Sequence, residues 1–363
     1  MHVYYVLATC LILVFIYATI KLAFLERNFG MSITAKELAN KLGLSPATIS
    51  IVFNNRQGVS EETRQRVLAA AKEHGYKFSV TPEKKQKTIS FVLFKKTGGA
   101  VVDDTPFFSA MTEGIATCCR EHDFSLDIRY IFEDKNINSE LNSLVTSGSE
   151  GIILLATEMK ASDFETFKDL NLPMVVLDTY FESISIDYVL INNIQGAFLA
   201  TDTLFKTRRK QPGYLHSSYS IGNFEERADG FYKAIRQNGM SPSASIVHML
   251  TPSIEGAYTD MKQLLSQGIE IADCYFADND MIAIGAMRAF KEYGYRIPKD
   301  VAFIGFDNAY PNGIISPPLT TIDVPKQAMG RLAVERLIYI MSDDTAVPVK
   351  TELLTSLIYR STL

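Results

Sequence analysis

Three short apolar stripes at helical spacing stand at the head of the chain's readable pattern. Leu38, Ala39 and Leu42 form the first, Ile49 and Val52 the second, and Val67, Leu68 and Ala71 the third. Each stripe carries its own start signal. Thr34 followed three residues later by Glu37 makes a capping box, and Gly43 supplies a left-handed stop. Ser45 caps the second helix with Pro46 at its first position, where a missing N–H costs nothing. Ser60 caps the third, Glu61 and Glu62 suit its positive start, and Gly75 ends it. Two short helices joined by a tight glycine-containing turn have the helix-turn-helix layout. A plain three-helix bundle has the same pattern, so the polar and basic side chains must decide between them.

Beyond residue 88 the pattern changes. Short β-branched runs at 89–94, 151–156, 174–178 and 301–306 alternate with helical periodicity, as at 108–121 and 282–293. Strands alternating with helices predict parallel sheets covered on both faces. About 275 residues exceed one ordinary core, so the body divides into two α/β lobes. In such sheets ligands sit at the carboxyl ends of strands. Asp178, residues 278–280 and the pair Asp307–Asn308 all fall at those ends. Any one of them is as well explained as a helix cap or turn residue. Their recurrence points to a polar pocket.

Charge separates the two regions. Residues 31–87 hold ten bases and five acids, a net +5, whereas the whole chain carries −5, which leaves −10 elsewhere. A basic head on an acidic body fits local phosphate contact, not general stickiness to polyanions. On the second helix Pro46, Ala47, Thr48, Ser50 and Ile51 point away from the buried stripe, and Ala47 suits a thymine methyl. Thr48, Ser50, Asn54, Ser60 and Thr63 are donors for phosphate oxygens, and the capping residues Thr34 and Ser45 complete the candidate DNA contacts.

The segments TAKELANKLGLSPATIS and VSEETRQRVLAAAKEHGY resemble the headpiece of the lac repressor family of bacterial transcription regulators. PFF at 106–108, RADGF at 227–231, ADNDMIAIGAM at 277–287, IPKDVAFIGFDN at 297–308 and SPPLTTIDVP at 316–325 follow in that family's order, so the resemblance covers residues 32–363. It implies an all-α helix-turn-helix head (31–76), a basic link (77–87) and a two-lobed α/β effector domain similar to periplasmic binding proteins (88–363). It also implies a homodimer on double-stranded operator DNA, controlled by a small effector, with a sugar the first expectation. By resemblance Phe107 and Phe108 pack on the ligand, Arg227 clamps it, and Asp280 and Asp307 accept from its hydroxyls. Asn279 and Asn192 are weaker candidates, and the helices over 108–119 and 327–341 would make the dimer contact.

Departures from the family pattern qualify this. Ile51 replaces an arginine common in the recognition helix, and Asn192–Asn193 stands where relatives carry Asp-Asn. Residues 249–250 fall where some relatives place an aromatic lid. The link KFSVTPEKKQK is short and interrupted by Pro82, so a hinge helix with a minor-groove leucine is not assumed, and Lys84, Lys85 and Lys87 are left to meet phosphates. KTRRKQPGYLHS replaces the family's Gly-His pair without a functional reading.

Residues 3–20 are uncharged and apolar, near the minimum for a bilayer span, without the basic start or cleavage site of a secretory signal. Met31 stands at the family's usual start, so an over-long start site is preferred to a membrane anchor for residues 1–30. The expected location is the cytoplasm. Four cysteines without CxxC or Cys/His spacing argue against a metal site. No Walker loop, GxSxG or paired catalytic carboxylates appear, so neither cofactor nor enzymatic activity is expected. The competing readings are a membrane-tethered sensor with the same head, and a sugar-binding module with a non-functional head.

Overall fold

A computed structural model describes residues 33–54, 56, 58–74, 76, 87–96, 106–133, 136–343 and 345–363. The apolar segment 1–30, Gly75, and the link apart from Lys87 lie outside the described residues. The chain separates into two compact units, 1–86 and 87–363.

The first unit holds α1 (Ala35–Leu42), α2 (Pro46–Phe53) and α3 (Glu61–Glu73). Leu38, Ala39, Ile49, Val52, Val67 and Ala71 form its buried core, with Leu42 and Leu68 half-buried against it. Phe53 stacks on Tyr76 at 5.0 Å between centroids. Gly43 has φ +66° and donates its N–H to the carbonyls of Ala39 and Asn40, so a residue tolerant of the left-handed region closes α1 and permits the tight turn.

The second unit runs β1 (Lys87–Lys95), α4 (Pro106–Glu121), β2 (Phe124–Phe132), α5 (Ile137–Thr146), β3 (Ser149–Leu155), α6 (Ala161–Phe164), β4 (Met174–Leu177), β5 (Asp187–Ile191) and α7 (Asn193–Arg208). It continues through β6 (Gly213–Ser217), α8 (Gly222–Gln237), β7 (Val247–Leu250), α9 (Ile254–Ser266), β8 (Cys274–Ala277), α10 (Asp280–Glu292), β9 (Ala302–Asp307) and β10 (Thr320–Asp323). It closes with α11 (Lys326–Ser342), β11 (Lys350–Leu353) and β12 (Ser356–Ile358). One six-stranded sheet has the order β11-β5-β4-β3-β1-β2, and the other β12-β10-β9-β8-β6-β7. All neighbours pair in parallel except β10 with β12. Both lobes therefore repeat one winding pattern, and in each the order reverses beside the first strand, at β1/β3 and β6/β8.

The chain passes between the lobes three times. It leaves β5 for α7 at Asn192, leaves β10 for α11 after Asp323, and leaves β11 for β12 at residues 354–355. The first and third passages are tied together, since Gln195 Oε1 accepts from Thr355 N at 3.1 Å and Thr355 Oγ1 at 2.7 Å. Glycines set the helix pairs. A Cβ at Gly114 of α4 would strike the Gln327 carbonyl of α11, one at Gly230 of α8 the Ile194 carbonyl of α7, and one at Gly285 of α10 the Ile254 carbonyl of α9. Each pair consequently packs backbone on backbone. Lys87, assigned to the link by sequence, is the first residue of β1 and pairs with Glu150 at 3.2 Å. Arg208 and Arg209 acquire a local account: Arg209 ends α7 at φ +55°, and Arg208 donates to the carbonyls of Pro298 and Lys299.

Candidate DNA-reading face and ligand cleft

The N-terminal turns of the head are held by their own hydroxyls. Thr34 Oγ1 accepts from Glu37 N at 3.3 Å while Glu37 Oε2 accepts from Thr34 N at 2.8 Å, so the capping box is complete. That bonding holds the Glu37 carboxyl below its ordinary range. Ser45 Oγ accepts from Thr48 N at 3.0 Å, and Ser60 Oγ from Thr63 N at 3.2 Å. Thr34, Ser45 and Ser60 thus have a structural task before any contact with DNA. Pro46, Ala47 and Ser50 are exposed, and Thr48, Ile51 and Thr63 are half-buried. Exposed Asn54 donates from Nδ2 to the Ser50 carbonyl at 2.8 Å and to Ser50 Oγ at 3.2 Å. The open face of α2 is accordingly a short surface of small side chains whose backbone can be approached closely.

The second unit contains a cleft lined by Phe107 and Phe108 of α4, Thr157 and Asp178 beyond β3 and β4, and Asn223 and Arg227 of α8. Asn279, Met281 and Asp307 line it from beyond β8 and β9. Its empty space, open solvent at the mouth included, is about 630 Å³. Ile221, Phe224, Pro252 and Ala309 complete its walls. The two phenylalanines meet edge to face at 5.1 Å.

Arg227 is fixed from every side. Its Nε donates to Asn193 Oδ1 at 2.9 Å, Nη1 to the Asp278 carbonyl, and Nη2 to Asp307 Oδ1 at 3.2 Å. The guanidinium lies 3.8 Å from the Phe306 ring centroid. Three of roughly five N–H donors are used, so two remain for a ligand. Asp307 has φ +103°, and its carbonyl accepts from Lys326 Nζ at the second passage between the lobes. Asp178, at φ +65°, accepts from Thr157 Oγ1 at 2.7 Å; burial pushes its carboxyl up to about 6.

Five of the seven sequence-assigned ligand residues come together here: Phe107, Phe108, Arg227, Asn279 and Asp307. Asn279 also caps α10, its Oδ1 accepting from Ile282 N at 2.9 Å. Two do not line the cleft. Asp280 is 1% exposed, with Oδ2 accepting from Ala309 N at 2.8 Å and Oδ1 from Thr321 Oγ1 at 2.6 Å. A Cβ at Gly305 would strike that same Oδ1. Burial first, then the charge of Asp307, pushes Asp280 up to about 7. Asn192 caps α7 by accepting from Gln195 N at 2.8 Å, while its neighbour Asn193 reaches Arg227. Thr157, Asn223, Phe224 and Met281 were missed by sequence reading. Asp178 had been noticed at its strand end without being assigned to a ligand. Met249, at the supposed lid position, is 51% exposed and does not line the cleft.

A helix-turn-helix head followed by two α/β lobes around a mixed polar and aromatic cleft defines a ligand-responsive DNA-binding protein. Residues 34–79 match the bacterial regulatory proteins of the lacI family, and residues 204–363 match a periplasmic binding protein-like domain. The repressor PurR of Mannheimia succiniciproducens is 28% identical over 88% of this chain and 96% of its own length. The ribose operon repressor of Haemophilus influenzae is 29% identical over 84% of this chain and 91% of its own. Among solved structures, a LacI family transcriptional regulator from Enterococcus faecium with bound ribose is 26% identical. It covers 76% of this chain and 98% of that one, with a TM-score of 0.63. The chain thus joins a head of the lacI family of bacterial regulatory proteins to a periplasmic binding protein-like body, and is a DNA-binding transcription regulator of the kind that small-molecule effectors control. Among the described residues no helix is long and apolar enough to cross a membrane.

Proposed function

We propose that this protein is a homodimeric repressor that acts in the cytoplasm and binds a pseudo-palindromic operator through the α2 faces. Its effector is a neutral, hydroxyl-rich molecule of the sugar class, held between the lobes. The observation that carries the reading is the Arg227 clamp. A buried cation, already balanced by Asp307 and with two N–H groups unused, lines the cleft together with the Asp178 carboxyl and two aromatic rings. Carboxylates and a guanidinium accept from and donate to hydroxyls, and phenylalanine faces suit the C–H side of a sugar ring. Two carboxylates against one guanidinium disfavour a phosphorylated ligand on charge alone. Phe107, Phe108, Asp178, Asn223, Arg227, Asn279 and Asp307 are the proposed ligand contacts. Thr48, Ser50, Ile51, Asn54 and Thr63, with Pro46 and Ala47, are the proposed DNA contacts; Thr34, Ser45 and Ser60 hold the helix starts that would face phosphates. The ribose in the solved relative and the ribose operon assigned to another both support a sugar.

Binding stabilises the native state by mass action. The test is thermal denaturation of the full chain with D-ribose, cellobiose, ribose 5-phosphate and adenine. A neutral sugar is expected to raise the melting temperature by several degrees in the native chain and not in Arg227→Ala. Stabilisation by ribose 5-phosphate or adenine alone would overturn the sugar assignment. The α4 and α11 helices, named by resemblance as the dimer contact, pack on each other through Gly114 and Gly330. The edge strand β2 instead exposes Ile128, Tyr130 and Phe132, alternate residues on one face, at 44%, 45% and 49%. That apolar stripe is the proposed contact with a second copy.

A further inference from the structure

Directly behind the Arg227 clamp lies a group of titratable side chains for which the ligand reading has no use. Asp278 follows β8 and is fully buried. Its Oδ1 accepts from Tyr214 Oη, and its Oδ2 accepts from Ser217 N at 2.7 Å and bonds His216 Nδ1 at 2.6 Å. Tyr214 packs against Phe231, 4.7 Å away, and Phe276, 5.4 Å away, both nearly parallel to it. The main-chain carbonyl of this same Asp278 receives Arg227 Nη1. One residue thus joins the histidine, through its carboxylate, to the pocket arginine, through its peptide.

We propose that His216 and Asp278 form a positioning pair for Arg227, in which the proton on the imidazole sets how firmly the guanidinium is held and hence how well the cleft binds its ligand. Nδ1 is occupied by Asp278, so the ring gains its second proton at Nε2. Protonated, His216 balances the buried carboxylate and leaves the charge of Arg227 to Asp307 and the ligand. Neutral, it leaves Arg227 as the nearest cation to Asp278, and the guanidinium is drawn towards the peptide. Burial, the largest single influence, works against the charged imidazole, yet the bond to Asp278 together with the charges of Asp278 and Glu225 raises its pKa. The other groups facing the ring are few. Glu225 of α8 adds negative charge, Tyr214 lies 4.9 Å away on the same strand, and β7 places uncharged Met249 opposite. His216 keeps 23% of its side chain accessible, enough for exchange with solvent.

The role of Arg227 in binding rests on the proposed function; its coupling to His216 does not, so the test uses no ligand. Nitrogen-15 spectra of the full chain would follow the Arg227 Nε–H signal, assigned by its loss in Arg227→Lys, between pH 5 and 8. The His216 ring protons would be followed in the same samples. The expected result is one shared midpoint for both signals. His216→Asn keeps a donor at the Nδ1 position without a charge, and should hold the Arg227 signal flat at its high-pH place. An Arg227 signal that stays still while His216 titrates would overturn the coupling. So would a signal that moves unchanged in His216→Asn, or a His216 that does not titrate in this window.

Discussion

Asp178 carries an electrostatic cost that its position in the cleft explains. Its carboxyl is buried at a left-handed turn with one hydroxyl donor, Thr157, and sits near pKa 6 against an ordinary value of 3.8. Between those values the native state holds a proton that the unfolded chain has released. Stability from this group is therefore full below about pH 4, falls as pH rises to 6, and stays low above. Asp178→Asn keeps an acceptor for Thr157 and removes the cost. It should raise the stability of the ligand-free chain at pH 7 by up to about 3 kcal/mol, a gain absent at pH 4. Urea unfolding at the two pH values checks this, and equal effects at both would reject it. The same substitution should weaken the ligand, because hydroxyl donors no longer meet a charge. At this scale the sequence was partly legible. Asp307 and Arg227 could be placed from motifs, but Asp280 has the same composition and strand-end position as a ligand residue. Only the Gly305 backbone above it and the Thr321 hydroxyl beside it make it an internal brace.

Among the elements, the head was the most readable because its signals are local. The N-cap residues named for α1, α2 and α3, and Gly43 at the end of α1, make the bonds that their types favour, while Gly75 lies outside the described residues. Ser45→Ala should therefore cost about 1 kcal/mol and loosen the start of α2. Chemical denaturation of the full chain would measure the first effect and operator affinity the second; unchanged stability would show that Thr48 N finds another acceptor. In the lobes, four strands and two helices could be named from the pattern. β10 reads TTID, too short and too polar for an apolar run to declare itself, and β2 alternates exposed and covered residues at an edge. Helix contacts set by glycine were illegible for another reason. Absence of a side chain leaves no hydrophobic signal, although Gly114 and Gly330 decide how near α4 and α11 approach. Gly330→Val should force that pair apart and cost about 1–3 kcal/mol by overpacking, readable as a lower urea midpoint.

For the whole molecule, the division into a basic head and a two-lobed body was read from charge and periodicity, whereas the assembly surface was not. If β2 joins two copies, Tyr130→Asp should yield monomers in sedimentation and lose most operator affinity, since one head then meets one half-site. Retained dimers would move the contact elsewhere. The three passages between the lobes have a further consequence for the growing polypeptide. Neither lobe is one continuous stretch: the first lobe's sheet ends on β11, and its glycine-bearing helix α4 meets α11, both made after five of the second lobe's six strands. On the ribosome, α4 must wait for α11 through about 200 residues of synthesis and the β5 edge for β11 through nearly 160, while the head, continuous in sequence, is complete long before. The part that reads DNA is therefore finished well ahead of the part that receives the signal.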